Sequence, residues 1–148
     1  PGTDHLEAET GFAVIYSGFD GVELSAGYFD DGDTAENNTF GIKYTVGQMT
    51  AAYQHTEVDY AGASTKDQEA AHYGISIAVN DSLSVSAGAQ NIEFGDNSAE
   101  DEKNSGFGAS YTMGSISMYG GFNKLENKGG SATAEDVEAS IFNISFAF

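Results

Sequence analysis

An all-β fold, an antiparallel transmembrane β-barrel of about nine strands, is the class this sequence predicts, and three observations predict it. Segments of about eight to ten residues alternate apolar and polar side chains, the period of a strand with two different faces. Tight turns at Asp20-Gly21, Gly47-Gln48, Asn80-Asp81 and Gly114-Ser115 take turns with long connectors over 29–37, 58–69, 95–105 and 126–138, so one rim is trimmed and the other elaborated. The charge follows the same division: with the leading segment and the flanking strand ends, the long connectors hold every acidic residue except Asp20, Glu23 and Asp81. An intervening hydrocarbon layer imposes such a polarity, because a charge facing lipid is costly in proportion to its depth.

Nine segments follow in order. Residues 11–18 set Phe12, Val14 and Tyr16 on one face, with Ile15 breaking the pattern; residues 21–29 set Val22, Leu24, Ala26 and Tyr28 against Glu23, Ser25 and Gly27. The third places Phe40, Ile42, Tyr44 and Val46 opposite Thr39, Gly41, Lys43 and Thr45, and the fourth places Met49, Ala51 and Tyr53 opposite Thr50, Ala52 and Gln54. In the fifth, Tyr73, Ile75, Ile77 and Val79 oppose His72, Gly74, Ser76 and Ala78; in the sixth, Leu83, Val85, Ala87 and Ala89 oppose Ser84, Ser86, Gly88 and Gln90. The seventh sets Phe107, Ala109, Tyr111 and Met113 against Gly108, Ser110 and Thr112, and the eighth sets Ile116, Met118 and Phe122 against Ser117, Tyr119, Gly121 and Asn123. The ninth ends the chain with Phe142, Ile144, Phe146 and Phe148 on the apolar side. Residues 1–10 read as an external loop segment and 11–148 as barrel strands.

Composition excludes several classes. The chain of 148 residues has 19 Gly, one Pro, no Trp and no Cys, so neither a disulfide framework nor thiol chemistry is available. A net charge of -18 with five basic residues, all Lys, argues against nucleic acid as a partner. The longest apolar run, Phe12 to Tyr16, is far shorter than the roughly 20 residues of a membrane helix. A soluble sandwich also alternates, but its solvent faces carry charges; here the second face is mostly Gly, Ser, Thr, Asn and Gln, with Glu23 and Lys43 as exceptions. Tyr16, Tyr28, Phe40, Phe107 and Phe148, near segment ends, fit aromatic girdles.

The terminal run Ser-Ile-Phe-Asn-Ile-Ser-Phe-Ala-Phe over 140–148 resembles the closing strand of Gram-negative outer-membrane proteins, in which a final Phe preceded by alternating apolar residues is the signal read by the barrel-assembly machinery. Ile144, Phe146 and Phe148 match that signal. With the strand and loop rhythm, the whole resembles the C-terminal half of a general diffusion porin of the alphaproteobacterial type. That resemblance implies a 16-stranded homotrimer in the cell outer membrane, in contact with lipid and lipopolysaccharide, with no cofactor and no reaction. Nine strands ending at the short-turn rim begin at the long-loop rim, so an N-terminal porin segment of roughly seven strands is expected to close the barrel. The constriction loop of the family belongs to that segment. On the wall that remains, Glu23, Lys43, His72, Gln90, Tyr119 and Asn123 are candidates to line the pore. The family often sets basic side chains on this wall; the chain has no Arg, which points to cation preference.

Other readings are weighed on their residues. Asp30, Asp31 and Asp33 invite a calcium ion, but their spacing does not reproduce the 12-residue helix-loop-helix site, and charge runs are ordinarily solvated loops. His5, His55 and His72 lack the close spacing of a zinc site. No Gly-x-Ser-x-Gly elbow, paired carboxylates in an apolar setting or Walker-type loop points to an enzyme. The alternative functions are a small eight-stranded barrel serving as adhesin or envelope anchor, which requires 11–18 not to be a barrel strand, and a soluble calcium-stabilised β protein.

Overall fold

The computed structural model describes residues 9–32 and 34–147. They form one nine-stranded antiparallel sheet in chain order: β1 (Thr10–Phe19), β2 (Val22–Asp30), β3 (Ala35–Val46), β4 (Met49–Tyr60), β5 (Gln68–Ala78), β6 (Leu83–Phe94), β7 (Glu102–Met113), β8 (Ile116–Glu126) and β9 (Val137–Phe146). Single 3₁₀ turns, Ser64–Lys66 and Lys128–Gly130, lie in the connectors after β4 and β8. Each of the nine predicted segments is a strand. Because residues 11–18 lie within β1, and 11–16 pair directly with β2, the condition for the eight-stranded alternative is not met.

The four tight turns fall where the sequence places them, and Gly21, Gly47 and Gly114 have positive φ there. Gly21 is the most constrained: a Cβ would stand 2.3 Å from the Thr45 carbonyl oxygen, while its own carbonyl accepts the Thr45 N–H at 2.7 Å. The long connectors are shorter than expected. They narrow to 31–34, 61–67, 95–101 and 127–136, because every strand from β2 to β9 except β6 takes up between one and four residues of the expected connectors. Alternation reports contact with two different media, whereas the hydrogen-bond ladder continues wherever backbone groups still find partners.

Directly paired residues share a face, so the register sorts every side chain onto one of two flanks. The apolar flank carries an abrupt boundary. On it, Tyr28 is followed by Asp30, Phe40 by Asn38 and Glu36, Tyr53 by His55 and Glu57, and Phe122 by Lys124 and Glu126. The last large apolar side chain before the polar zone is aromatic on eight strands: Phe12, Tyr28, Phe40, Tyr53, Tyr73, Phe107, Phe122 and Phe142. These rings touch, with centroids 5.7 Å apart for Phe40–Tyr53, 5.2 Å for Tyr53–Tyr73 and 5.8 Å for Phe107–Phe122. This is a girdle, and Phe40 and Phe107 lie mid-strand in it rather than at strand ends as the sequence implied. Phe148 lies outside the described residues.

No hydrophobic side chain among the described residues is buried; Phe107 is 65% and Phe142 67% exposed. A second layer is therefore absent from the described residues, and the apolar flank has no protein to pack against. A soluble sandwich would bury this flank face to face. Among the described residues, β1 and β9 pair on one side only, leaving the sheet unclosed.

Candidate functional site

All six sequence-predicted lining residues lie on the polar flank, in two groups. Glu23 and Lys43 face each other across β2 and β3, and Lys43 Nζ reaches Glu23 Oε1 at 2.8 Å. Both side chains are well exposed, at 39% and 47%, so the pair contributes at most about 1 kcal/mol to stability. Its importance is that it leaves this part of the wall with no net charge. The second group spans β5 to β8: His72 pairs with Gln90, Gln90 with Asn104, Asn123 with Gly106, and Tyr119 with Ser110.

Tyr119 is held by shape. A Cβ at Gly108 would stand 2.8 Å from its Oη, and one at Gly121 would stand 2.7 Å away. The phenol therefore lies over two glycines, against the wall. Gly108→Ala is expected to swing the ring away from the sheet without unfolding it, since the displaced atoms are the far end of a rotatable side chain. If the polar flank lines a pore, unitary conductance then falls; a conductance equal to wild type would show that the ring does not border the ion path.

Sequence reasoning missed Asn104 and Gln54. The sequence places Asn104 in the connector 95–105, but it lies in β7 because that strand begins at Glu102; Gln54 pairs with His72 and belongs to the same row. Gln54 Nε2 lies 3.4 Å from both Thr39 Oγ1 and Thr56 Oγ1, which themselves approach to 3.0 Å. The signal for Gln54 was present in the polar phase of the fourth segment.

At the elaborated rim the carboxylates serve the backbone. Asp30 Oδ1 accepts from the Gly32 N–H at 2.7 Å, and Asp31 Oδ1 accepts from the N–H groups of Thr34 at 2.6 Å and Ala35 at 2.9 Å. Asp33 lies outside the described residues. Among the described residues no group of three acidic, His or Cys side chains could hold a metal ion. Calcium titration is accordingly expected to leave the melting temperature unchanged; a rise would show that the carboxylates bind the ion.

Asp67 Oδ1 accepts from Tyr60 N–H at 2.7 Å, and Glu102 Oε2 from Gly129 N–H at 2.6 Å, which ties the connector after β8 to β7. Asp96 accepts from the Ser98 amide at 2.9 Å and hydroxyl at 2.7 Å; the amide bond, then the hydroxyl bond, lowers its pKa below the ordinary 3.8. The folded value is the lower one. Its stabilising contribution is thus present above the ordinary carboxylate pKa and disappears as pH falls through the depressed value. An NMR titration of the Asp96 carboxyl checks this, and a midpoint at or above 3.8 would contradict it.

Ile144 and Phe146 point to the apolar flank of β9, paired with Met118 and Ile116. Farther along this flank, Glu57, Glu69 and Glu93 stand directly opposite one another across β4, β5 and β6. Like charges so placed repel. His55 Nε2 approaches Glu69 Oε1 at 3.3 Å beside them, and Lys124 Nζ lies 2.6 Å from Glu126 and 2.9 Å from Asp136.

Solved structures resemble this chain, porin variants among them. An engineered variant of the porin from Rhodopseudomonas blastica superposes with a TM-score of 0.67 at 21% identity, over 97% of this chain and 47% of that one. OccD3 (OpdP) from Pseudomonas aeruginosa gives 0.68 at 12% identity, over 84% of this chain and 40% of its own. The chain thus spans about half the length of the solved proteins it matches, or somewhat less. No curated protein matches it significantly. A family profile described as Gram-negative porin matches residues 2–130. With the lipid-type flank, its aromatic boundary and the glycine-rich opposite flank, that match shows that the chain belongs to the Gram-negative porin family of the outer membrane.

Proposed function

We propose that this chain forms part of the wall of a water-filled outer-membrane pore through which small hydrophilic solutes and ions diffuse, with cations favoured. The observation that carries this is the division of one sheet into an exposed apolar flank ending in aromatic rings and a flank of Gly, Ser, Thr and amide side chains. Lipid stabilises the first and water the second. The acidic rim raises the local concentration of cations, and discrimination is by size and charge, with no reaction and no cofactor.

Since nine is odd, β1 and β9 run in the same direction and cannot pair with each other antiparallel. Closure takes an odd number of further strands, supplied in this reading by an N-terminal porin segment. Free edges facing hydrocarbon would leave backbone groups unsatisfied at several kcal/mol each. Assembly as a homotrimer, contact with lipopolysaccharide at the elaborated rim, and capture of Ile144, Phe146 and Phe148 by the barrel-assembly machinery complete the proposal. Planar-bilayer recording on the full-length protein tests it: conductance in steps of three with a reversal potential favouring K⁺ over Cl⁻ is expected. Absence of any conductance from correctly assembled protein would overturn the pore, and a reversal potential favouring Cl⁻ would overturn the selectivity.

A further inference from the structure

The polar flank is not uniform in how its side chains are satisfied. Toward β2 and β3 they satisfy one another, as in the Glu23–Lys43 pair and the Thr39, Thr56 and Gln54 cluster; toward the tight turns, Ser84 bonds Ser110 and Thr112 bonds Ser117. Between them lies a depression of about 690 Å³ bordered on this flank by His72, Gln90, Asn104, Tyr119 and Asn123. Among the described residues none of these five side chains makes a hydrogen bond to another protein group, and Asn104 Oδ1 is shielded from solvent with no partner. Polar groups left unpaired over a formed depression are an unfilled set of donors and acceptors.

The chemistry of this set is specific. No Asp, Glu or Lys borders the depression, although 19% of the chain is charged. A charged solute would find no counter-charge there. His72, Gln90 and Asn104 form a direct row across β5, β6 and β7, placing three hydrogen-bonding heads at intervals of roughly 5 Å, the strand spacing. That interval is comparable to the width of a sugar ring. Tyr119 closes one side; with its ring laid over Gly108 and Gly121, its opposite face is left toward the lumen, where the C–H face of a sugar ring can stack. The glycine floor of Gly88, Gly106, Gly108 and Gly121 lets a ligand approach the backbone closely.

We infer that this depression is a subsite for neutral polyhydroxylated solutes, a sugar ring lying against Tyr119 with its hydroxyls on Gln90, Asn104, Asn123 and His72. The inference rests on the pore reading and names a solute class for its wall. Amides donate and accept at once, matching hydroxyls that do the same, and leave carboxylates and ammonium groups without compensation for lost water. Binding is weak and reversible, as passage requires.

Sucrose is the probe, applied to the full-length protein in a planar bilayer. Ion current is expected to fall saturably as sucrose is added, beyond the linear loss due to viscosity, while gluconate at equal concentration gives no saturable block. Each variant is measured against its own open conductance. Tyr119→Ala and Asn104→Ala should each raise the half-blocking concentration about fivefold, the scale of one aromatic or hydrogen-bonding contact. Tyr119→Phe, which keeps the stacking face, should stay within about twofold. A purely viscous effect of sucrose, equal block by gluconate, or block indifferent to Tyr119→Ala overturns the subsite and leaves the pore reading standing. Loss of all conductance in the wild type overturns the pore reading and this inference with it.

Discussion

Replacing Ile75 by arginine is expected to destabilise the assembled protein by about 2–4 kcal/mol, the cost of a guanidinium facing mid-membrane lipid, whereas Ser76→Arg, one residue along the same strand, should cost under about 1 kcal/mol. Ile75 sits in the apolar flank between Ala51 and Ala87, three rows from where that flank turns polar on β5 at Glu69. Ser76 is paired with Thr50 and Ser86 on the opposite flank, where an arginine head remains in water. Chemical denaturation from lipid vesicles measures both. Equal costs would mean that both flanks meet the same medium, which contradicts the membrane assignment; a larger cost for Ser76→Arg would mean that the flanks are exchanged.

Glu23→Lys should lower the K⁺/Cl⁻ permeability ratio of the full-length pore about threefold. The Glu23–Lys43 pair carries no net charge, and the substitution adds two positive units beside an aqueous path. An ion passing at ~10 Å in water feels about 0.4 kcal/mol per unit charge. Screening at ~0.1 M salt cuts the effect of two units to about 0.3 kcal/mol. Potassium and chloride feel it with opposite sign, so the ratio moves about threefold. The reversal potential across a KCl gradient reads this directly. A value unchanged from wild type would show that Glu23 and Lys43 lie away from the ion path, and the lining assignment would then rest on β5 to β8 alone.

The strand set was legible because the two flanks of each strand meet different media, and a period of two survives in the residues. Lys43 or Ile75 could be assigned to a flank with no partner in view. The strand ends toward the long connectors were not legible: on the otherwise apolar flank Glu36, Glu57, Asp59 and Lys103 replace apolar side chains, so the apolar alternation stops while the ladder continues. Asn104 was lost from the candidate set for that reason. The backbone partners of the rim carboxylates were not legible either. Asp31, Asp67 and Glu102 accept backbone N–H groups from residues three to twenty-seven positions away, and nothing in composition reveals which amide a given carboxylate will cap.

Sequence alone determined the fold class, the strand count, the four tight turns and the flank of each of the six candidate lining residues, since each depends on local periodicity or on one turn residue. Tertiary structure decided the register, and with it every cross-strand neighbour: Glu23 against Lys43, the Glu57–Glu69–Glu93 row, the His72–Gln90–Asn104 row and the seat of Tyr119 on Gly108 and Gly121. Hydrogen-bond partners across strands are set by where two ladders lock together, and a slip of two residues would keep every side chain on its flank while changing all of its neighbours.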